Sequence, residues 1–323
     1  MTDVAATADA TGLQPPAARY RAAERAFWAH HGAPAPMERW VEVSSLGLRV
    51  RVLEAGSGPA VLFIHGGPNA GTTWAPLAAG LTGRRSLALD RPGCGLSDLL
   101  PSAALEPGRI GPAMADVGMA VIEQLAEGPV DLVASSFGGA CALWLAERRP
   151  DLVRRLVLEG APAIDGMRAA MNIRMLAAGP IGRFIARQPA RRGVLRMTFR
   201  QLGHRRLVES GWPAGPDLDW GLSMMNDTPT MASEVKLIQA AATWRGFKPG
   251  RLFDPAALSR LASPTLWLWG EHDPFGNETL GRGWASAMPS ATFEVQPGAG
   301  HLPWIDDPER HARRIETFLA TGH

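Results

Sequence analysis

This chain is short of cysteine and of lysine and has no long apolar run, and each shortage removes a class of protein. Two cysteines in 323 residues, Cys94 and Cys141, cannot build a disulfide framework. Both fall inside short motif segments, where a small packing residue in a reducing compartment is expected, so the expected location is cytoplasmic. Lysine occurs only as Lys236 and Lys248, so nearly all 33 basic side chains are arginine, against 31 acids. No basic stripe is interleaved with aromatics, which argues against a nucleic-acid partner. No apolar run approaches the ~18–20 residues that span a bilayer, so no integral membrane segment is expected. The start, Met1-Thr2-Asp3-Val4, is neither basic nor apolar in the manner of a leader. Cysteine and histidine fall at no metal-ligand spacing and no nucleotide fingerprint is present, so the expected metal and the expected cofactor are none.

What is present is an ordinary globular composition, 46% hydrophobic and 20% charged, and one very informative octapeptide. Val133-Ala134-Ser135-Ser136-Phe137-Gly138-Gly139-Ala140 follows the apolar run from Val130 and opens an Ala-rich helical run to Arg149. That reads as strand, tight turn and helix, with Ser136 at the apex. A turn that holds its central side chain clear of a sheet needs small neighbours, and Ala134 and Gly138 stand two residues to either side. Further on, Pro264 to Gly270 is an apolar run closed by glycine and followed by Glu271-His272-Asp273, which reads as a buried strand delivering a carboxylate at its end. Ala291 to Gln296 alternates as a strand does and runs into Pro297-Gly298-Ala299-Gly300-His301, a loop able to fold its histidine back over the sheet. A serine, a carboxylate and a histidine, Ser136, Asp273 and His301, thus follow one another at the ends of three such runs.

With Val61-Leu62-Phe63-Ile64-His65-Gly66-Gly67-Pro68 and Asp90-Arg91-Pro92-Gly93-Cys94-Gly95-Leu96-Ser97, these segments resemble the α/β-hydrolase superfamily from about Val41 to the C-terminus. The resemblance implies an α/β-hydrolase fold: a mostly parallel, twisted sheet flanked by helices, with an inserted helical cap. It implies a core over 38–163 and 258–323 and a cap over 164–257, where helical runs continue but strand–helix alternation stops. Residues 1–16, rich in Ala, Thr and Pro, read as disordered. Residues 17–32 read as a helix whose Tyr20, Phe27 and Trp28 offer an apolar side to the core or to a partner subunit, which keeps a homo-oligomer open.

A serine is a poor nucleophile without an adjacent base. The resemblance implies Ser136 as nucleophile, His301 as base and Asp273 as the residue orienting it, with Glu271 and Glu159 as rival acids. It also implies an oxyanion hole from the backbone amides of Gly67 and Phe137. His65 is expected to be structural, and Asp90 to Gly93 a structural turn without chemistry. Trp74, Met224, Met225, Phe275 and Trp304 are the expected pocket residues.

The expected activity is that of a serine carboxylesterase-like hydrolase, cleaving an ester or lactone of a small, mainly apolar substrate through an acyl-enzyme. A serine at the apex speaks against haloalkane dehalogenases and epoxide hydrolases, which place aspartate there; the latter also need cap tyrosines, and the sole tyrosine is Tyr20. Carbon–carbon bond hydrolases, acyltransferases and perhydrolases of the same fold remain alternatives, as does a hydrolase-fold ligand receptor with little turnover. Between Asp165 and Glu209 lie ten arginines and no further acid, read as a solvated basic face in preference to a site for an acidic substrate or a membrane surface.

Overall fold

The computed structural model describes residues 15–321. All but the last two residues of the segment read as disordered lie outside that range, and Pro16 already opens a helix. In chain order the regular elements begin with α1 (Pro16–His30), β1 (Met37–Val43), β2 (Leu48–Gly56), β3 (Ala60–Ile64), α2 (Ala75–Gly80) and β4 (Arg85–Leu89). There follow α3 (Ile110–Leu125), β5 (Val130–Ser135), α4 (Ser136–Arg148) and β6 (Val153–Glu159). An inserted helical region comes next: α5 (Met171–Ala177), α6 (Gly179–Arg187), α7 (Arg192–Gln201), α8 (Arg205–Glu209), α9 (Gly215–Asp227) and α10 (Thr230–Ala241), ending in a small hairpin, β7 (Ala242–Thr243) and β8 (Gly246–Phe247). The core resumes with β9 (Thr265–Gly270), α11 (Glu278–Ser286), β10 (Ala291–Gln296), α12 (Pro303–Asp306) and α13 (Pro308–Thr321).

Eight strands form one sheet in the order β1-β2-β4-β3-β5-β6-β9-β10. β2 runs antiparallel to both its neighbours, and every pair from β4 to β10 is parallel. A parallel sheet covered by helices on both faces calls for strands that are apolar throughout. β3 shows how this is met: Leu62 and Ile64 enter one buried cluster, Val61 and Phe63 the cluster on the other face. Burying each such side chain is worth about 1.5–3 kcal/mol, so the central strands are the least negotiable part of the molecule. Their carboxyl ends all reach the same edge, where ligands bind in open α/β sheets.

α1 resolves the choice between core and partner subunit: it packs on the core and against α9. Tyr20, Phe27 and Trp28 are buried, Phe27 lies 4.7 Å from the Trp220 ring, and Trp28 donates to Thr72 Oγ1. Glu24 of the same helix reaches the buried Arg51, 2.8 Å away, which also pairs with Asp90 at 2.7 Å. Burial drives the Glu24 carboxyl above its usual range while Arg51 opposes the shift, so this helix is tied to the core by ionic as well as apolar contacts.

Candidate active site

The turn between β5 and α4 holds Ser136 at φ +52°, the one non-glycine residue with positive φ among those described. An L-residue pays roughly 1–2 kcal/mol for this conformation, and packing from all sides maintains it. A Cβ on Gly66 would sit 2.6 Å from Ser136 Cβ, and one on Gly139 would sit 2.8 Å from Pro162 Cβ. A Cβ on Gly138 would run into the carbonyl oxygens of Ile64 and His65. Each glycine therefore allows a close approach that any side chain would block.

His301, on the loop after β10, is buried; its Nδ1 lies 2.8 Å from Asp273 Oδ2. Asp273, at the end of β9, also accepts from the amides of Ala161 and Phe275, both at 2.9 Å. Three donors fix this carboxylate and leave His301 Nδ1 as a donor to it. Nε2, the other ring nitrogen, is buried without a partner among the described residues. The rival acids are engaged elsewhere. Glu159 accepts from His311 at 2.9 Å, and Glu271 accepts from the amide of Gly298 at 2.7 Å.

Ser136 and His301 line one cavity of about 460 Å³ between the sheet edge and the inserted helices. Gly67, Phe137, Met224, Met225 and Phe275 line it too. Neither the Gly67 nor the Phe137 amide is occupied by a described backbone hydrogen bond, and the Phe137 amide is at the amino end of α4, where helical N–H groups lack internal partners. Trp74 and Trp304 are a correction: neither faces the cavity. Their rings stack on each other at 4.4 Å, with Phe63 behind Trp74, in the layer beneath the motif loops. Wide apolar rings gain more by closing that layer than by standing at a solvent-reaching wall.

Three further arrangements join segments far apart in the sequence. His65 is structural, as expected: its Nδ1 meets the Gly66 carbonyl, its Nε2 accepts from the Arg91 amide, and burial followed by the Arg91 charge keeps the ring neutral by pushing its pKa well down. The Asp90–Gly93 turn does more than was expected of it. The Arg91 guanidinium holds the carbonyls of His65 and Gly66, at 2.8 and 2.9 Å, and pairs with Glu234 of α10. Glu234 in turn packs so closely over Gly67 that a Cβ there would collide with its carboxylate. One arginine thus braces the loop beside Ser136 and joins it to the inserted helices.

His204, between α7 and α8, is fully buried against the His301 loop. Its Nδ1 lies 2.7 Å from Asp306, and its Nε2 accepts from the Leu302 amide at 3.2 Å. The His301 amide donates to Leu202 of the same turn at 2.8 Å. The third arrangement joins His31, 3.0 Å from Asp217, to His30, 3.5 Å from the same carboxylate. Among the described residues this is the group best able to hold a cation, its ligand atoms all lying within 4.8 Å of one another, although histidine–carboxylate pairing between α1 and α9 accounts for it. Cys94 and Cys141 are buried free thiols. Burial pushes Cys94 well up and Cys141 up to about 12, so neither serves as a thiolate.

Comparison with known proteins bears on the family and the fold. A family profile described as alpha/beta hydrolase fold matches residues 59–308. An uncharacterized protein of Mycobacterium tuberculosis is 30% identical over 276 residues, covering 83% of this chain and 77% of its own length. An sn-1-specific diacylglycerol lipase of Mus musculus is 26% identical over 272 residues, 81% of each chain. Among solved structures, a bacterial membrane phospholipase A superposes with a TM-score of 0.70 at 23% identity, over 95% of this chain and 91% of its own, a likeness of fold alone. No helix among the described residues is long and apolar enough to cross a membrane. The profile covers most of the chain, including all of the parallel part of the eight-stranded sheet, and the chain belongs to the alpha/beta hydrolase fold family.

Proposed function

We propose that this protein is a serine hydrolase cleaving carboxylic esters of mainly apolar substrates through an acyl-enzyme at Ser136. The observation that carries the reading is His301: Nδ1 is held by Asp273 while buried Nε2 is unpartnered, in the cavity that Ser136 lines. In this reading His301 Nε2 takes the proton of Ser136 as Oγ attacks the ester carbonyl, and the Gly67 and Phe137 amides receive the developing oxyanion. His301 then returns the proton to the leaving alcohol, and water releases the acid by the same route. No arginine or lysine lines the cavity, whereas Asp217 and Glu234 do. A neutral acyl chain is therefore favoured over an anionic substrate, which supports an esterase over a carbon–carbon hydrolase of acidic compounds. The test is a panel of neutral esters, lactones and acidic diketones on the purified protein. Turnover confined to the acidic diketones would overturn the reading, and acylation without any turnover would favour a ligand receptor.

Met224 and Met225, on α9, give the cavity much of its deformable wall. Methionine fits irregular apolar ligands, and a change of one or two methylenes in such a pocket shifts discrimination by about 10–200-fold. Met224→Phe and Met225→Phe are expected to move the optimum toward shorter acyl chains by at least tenfold. Inactivation by a small fluorophosphonate should hardly change. Equal losses on every substrate and on the phosphonate would mean that these helices only support the fold.

His204 is proposed as a positioning residue for His301. His204→Ala removes the acceptor of the Leu302 amide and the partner of Asp306, and should lower kcat by about 10–100-fold with little effect on KM, the scale of supporting contacts at other sites. His204→Gln, able to accept from the amide and donate to Asp306, should recover most of that loss. A shift in KM alone, or no rescue by glutamine in a folded variant, would remove His204 from the mechanism.

A further inference from the structure

The inserted helices expose apolar side chains where a soluble protein ordinarily hides them. Of the ten large apolar residues most exposed among those described, six fall between Met171 and Met197. Ile181 and Phe184 of α6 are 57% and 64% exposed and share one face, while Met171, Met175, Val194 and Met197 are also exposed and line the cavity. Exposed apolar residues scattered singly are ordinary, whereas these are concentrated in one stretch of the inserted helices, as on interaction surfaces. The same region carries Arg183, Arg187, Arg191, Arg192 and Arg200, all exposed and in no described ion pair. No acid lies between Asp165 and Glu209 to balance them.

We propose that the α6–α7 face docks on an anionic phospholipid surface, with Ile181 and Phe184 entering the acyl boundary and the arginines meeting the phosphates. An amphipathic helix with an apolar face and arginines at its borders binds such an interface by burial and by charge together. A neutral apolar partner would leave the unpaired arginines unexplained, and a second copy of this chain would bring like charges face to face. Because Val194 and Met197 of α7 are exposed and also line the cavity, docking would open the cavity onto the lipid. Its ester substrates would then be ones that partition into the surface, a consequence that rests on the esterase reading above. The solvated basic face expected from the sequence is the alternative that this proposal competes with.

The test uses the full chain carrying Ser136→Ala, so that no turnover confuses binding, in co-sedimentation with vesicles. Phosphatidylcholine vesicles containing equal parts phosphatidylglycerol should retain the protein at least tenfold better than phosphatidylcholine alone, and high salt should weaken retention. Ile181→Ser with Phe184→Ser, and separately Arg187→Glu with Arg191→Glu and Arg192→Glu, should each lower binding at least tenfold. With Ser136 retained, the same changes should leave turnover of a short soluble ester intact. Should the apolar pair fail to fold, the arginine set, which is solvent-facing, decides the matter alone. Equal binding to both vesicle types, wild-type binding by the arginine variant, or a dimer that these substitutions dissociate would overturn the proposal. Vesicle binding with no ester turnover would leave docking standing and remove the esterase reading.

Discussion

Ser136→Ala is expected to lower kcat by about 10⁴–10⁶ and to abolish covalent labelling by a fluorophosphonate, while the fold persists. The size follows from the cooperation proposed for Ser136, His301 and Asp273: once Oγ is gone the base has nothing to activate, and only binding and the oxyanion donors act on the substrate. The persistence of the fold follows from local structure. Alanine at φ +52° meets the same steric cost as serine, and no described side-chain hydrogen bond uses Ser136 Oγ. A thermal midpoint close to wild type would show that activity was lost for chemical reasons. Ser135 is the internal control. It is buried at the end of β5 with its hydroxyl unpartnered, so Ser135→Ala should keep both label and activity. Label on Ser135, or full activity in Ser136→Ala, would mean that the nucleophile is not the residue at the apex of the turn.

How much of this was legible in the sequence depended on how local its cause was. The turn at Ser136 could be read because its requirements, small residues two positions away and an apolar run before it, lie within eight residues. The ends of β9 and β10 could be read for the same reason, since glycine and a polar residue close each apolar run. The pocket was legible only in part. Met224, Met225 and Phe275 do line the cavity, but Trp74 and Trp304 do not, because nearness to a motif in sequence does not say toward which layer a ring turns. The supporting contacts were not legible at all. Arg91 meets Glu234 across 143 positions and His204 meets Asp306 across 102, and no spacing rule spans a helical insertion whose packing is unknown. The exposed face of α6 fell between these cases: the arginines were visible as a run, but the unpaired state that makes them interesting exists only in the fold.

Asp273→Asn is expected to cost about 10⁴ in kcat, the scale for removing the orienting acid of a serine hydrolase. Glu159→Gln should cost tenfold or less. The two carboxylates end neighbouring strands and each contacts a histidine, so the fold position alone does not separate them. Their surroundings do. Three donors, from Ala161, Phe275 and His301, are aimed at Asp273. Asparagine supplies a single acceptor oxygen for those donors, and its amide must point at one of them. If it points at His301, Nδ1 becomes an acceptor, Nε2 carries the proton, and the ring can no longer take one from Ser136. If it points at the backbone, a buried N–H is left facing another at a cost of about 1–3 kcal/mol, so fold and chemistry compete and either outcome slows the reaction. Glu159 is placed differently, because it holds His311 of α13, whose other nitrogen meets Gln296. Glutamine can still accept from His311 through its carbonyl, so the expected consequence is a modest loss of stability with kcat nearly intact. Steady-state kinetics alongside chemical denaturation of both variants separate the effects. A large kcat loss in Glu159→Gln with a mild one in Asp273→Asn would transfer the orienting role to the strand before the inserted helices and leave the His301–Asp273 contact a structural one.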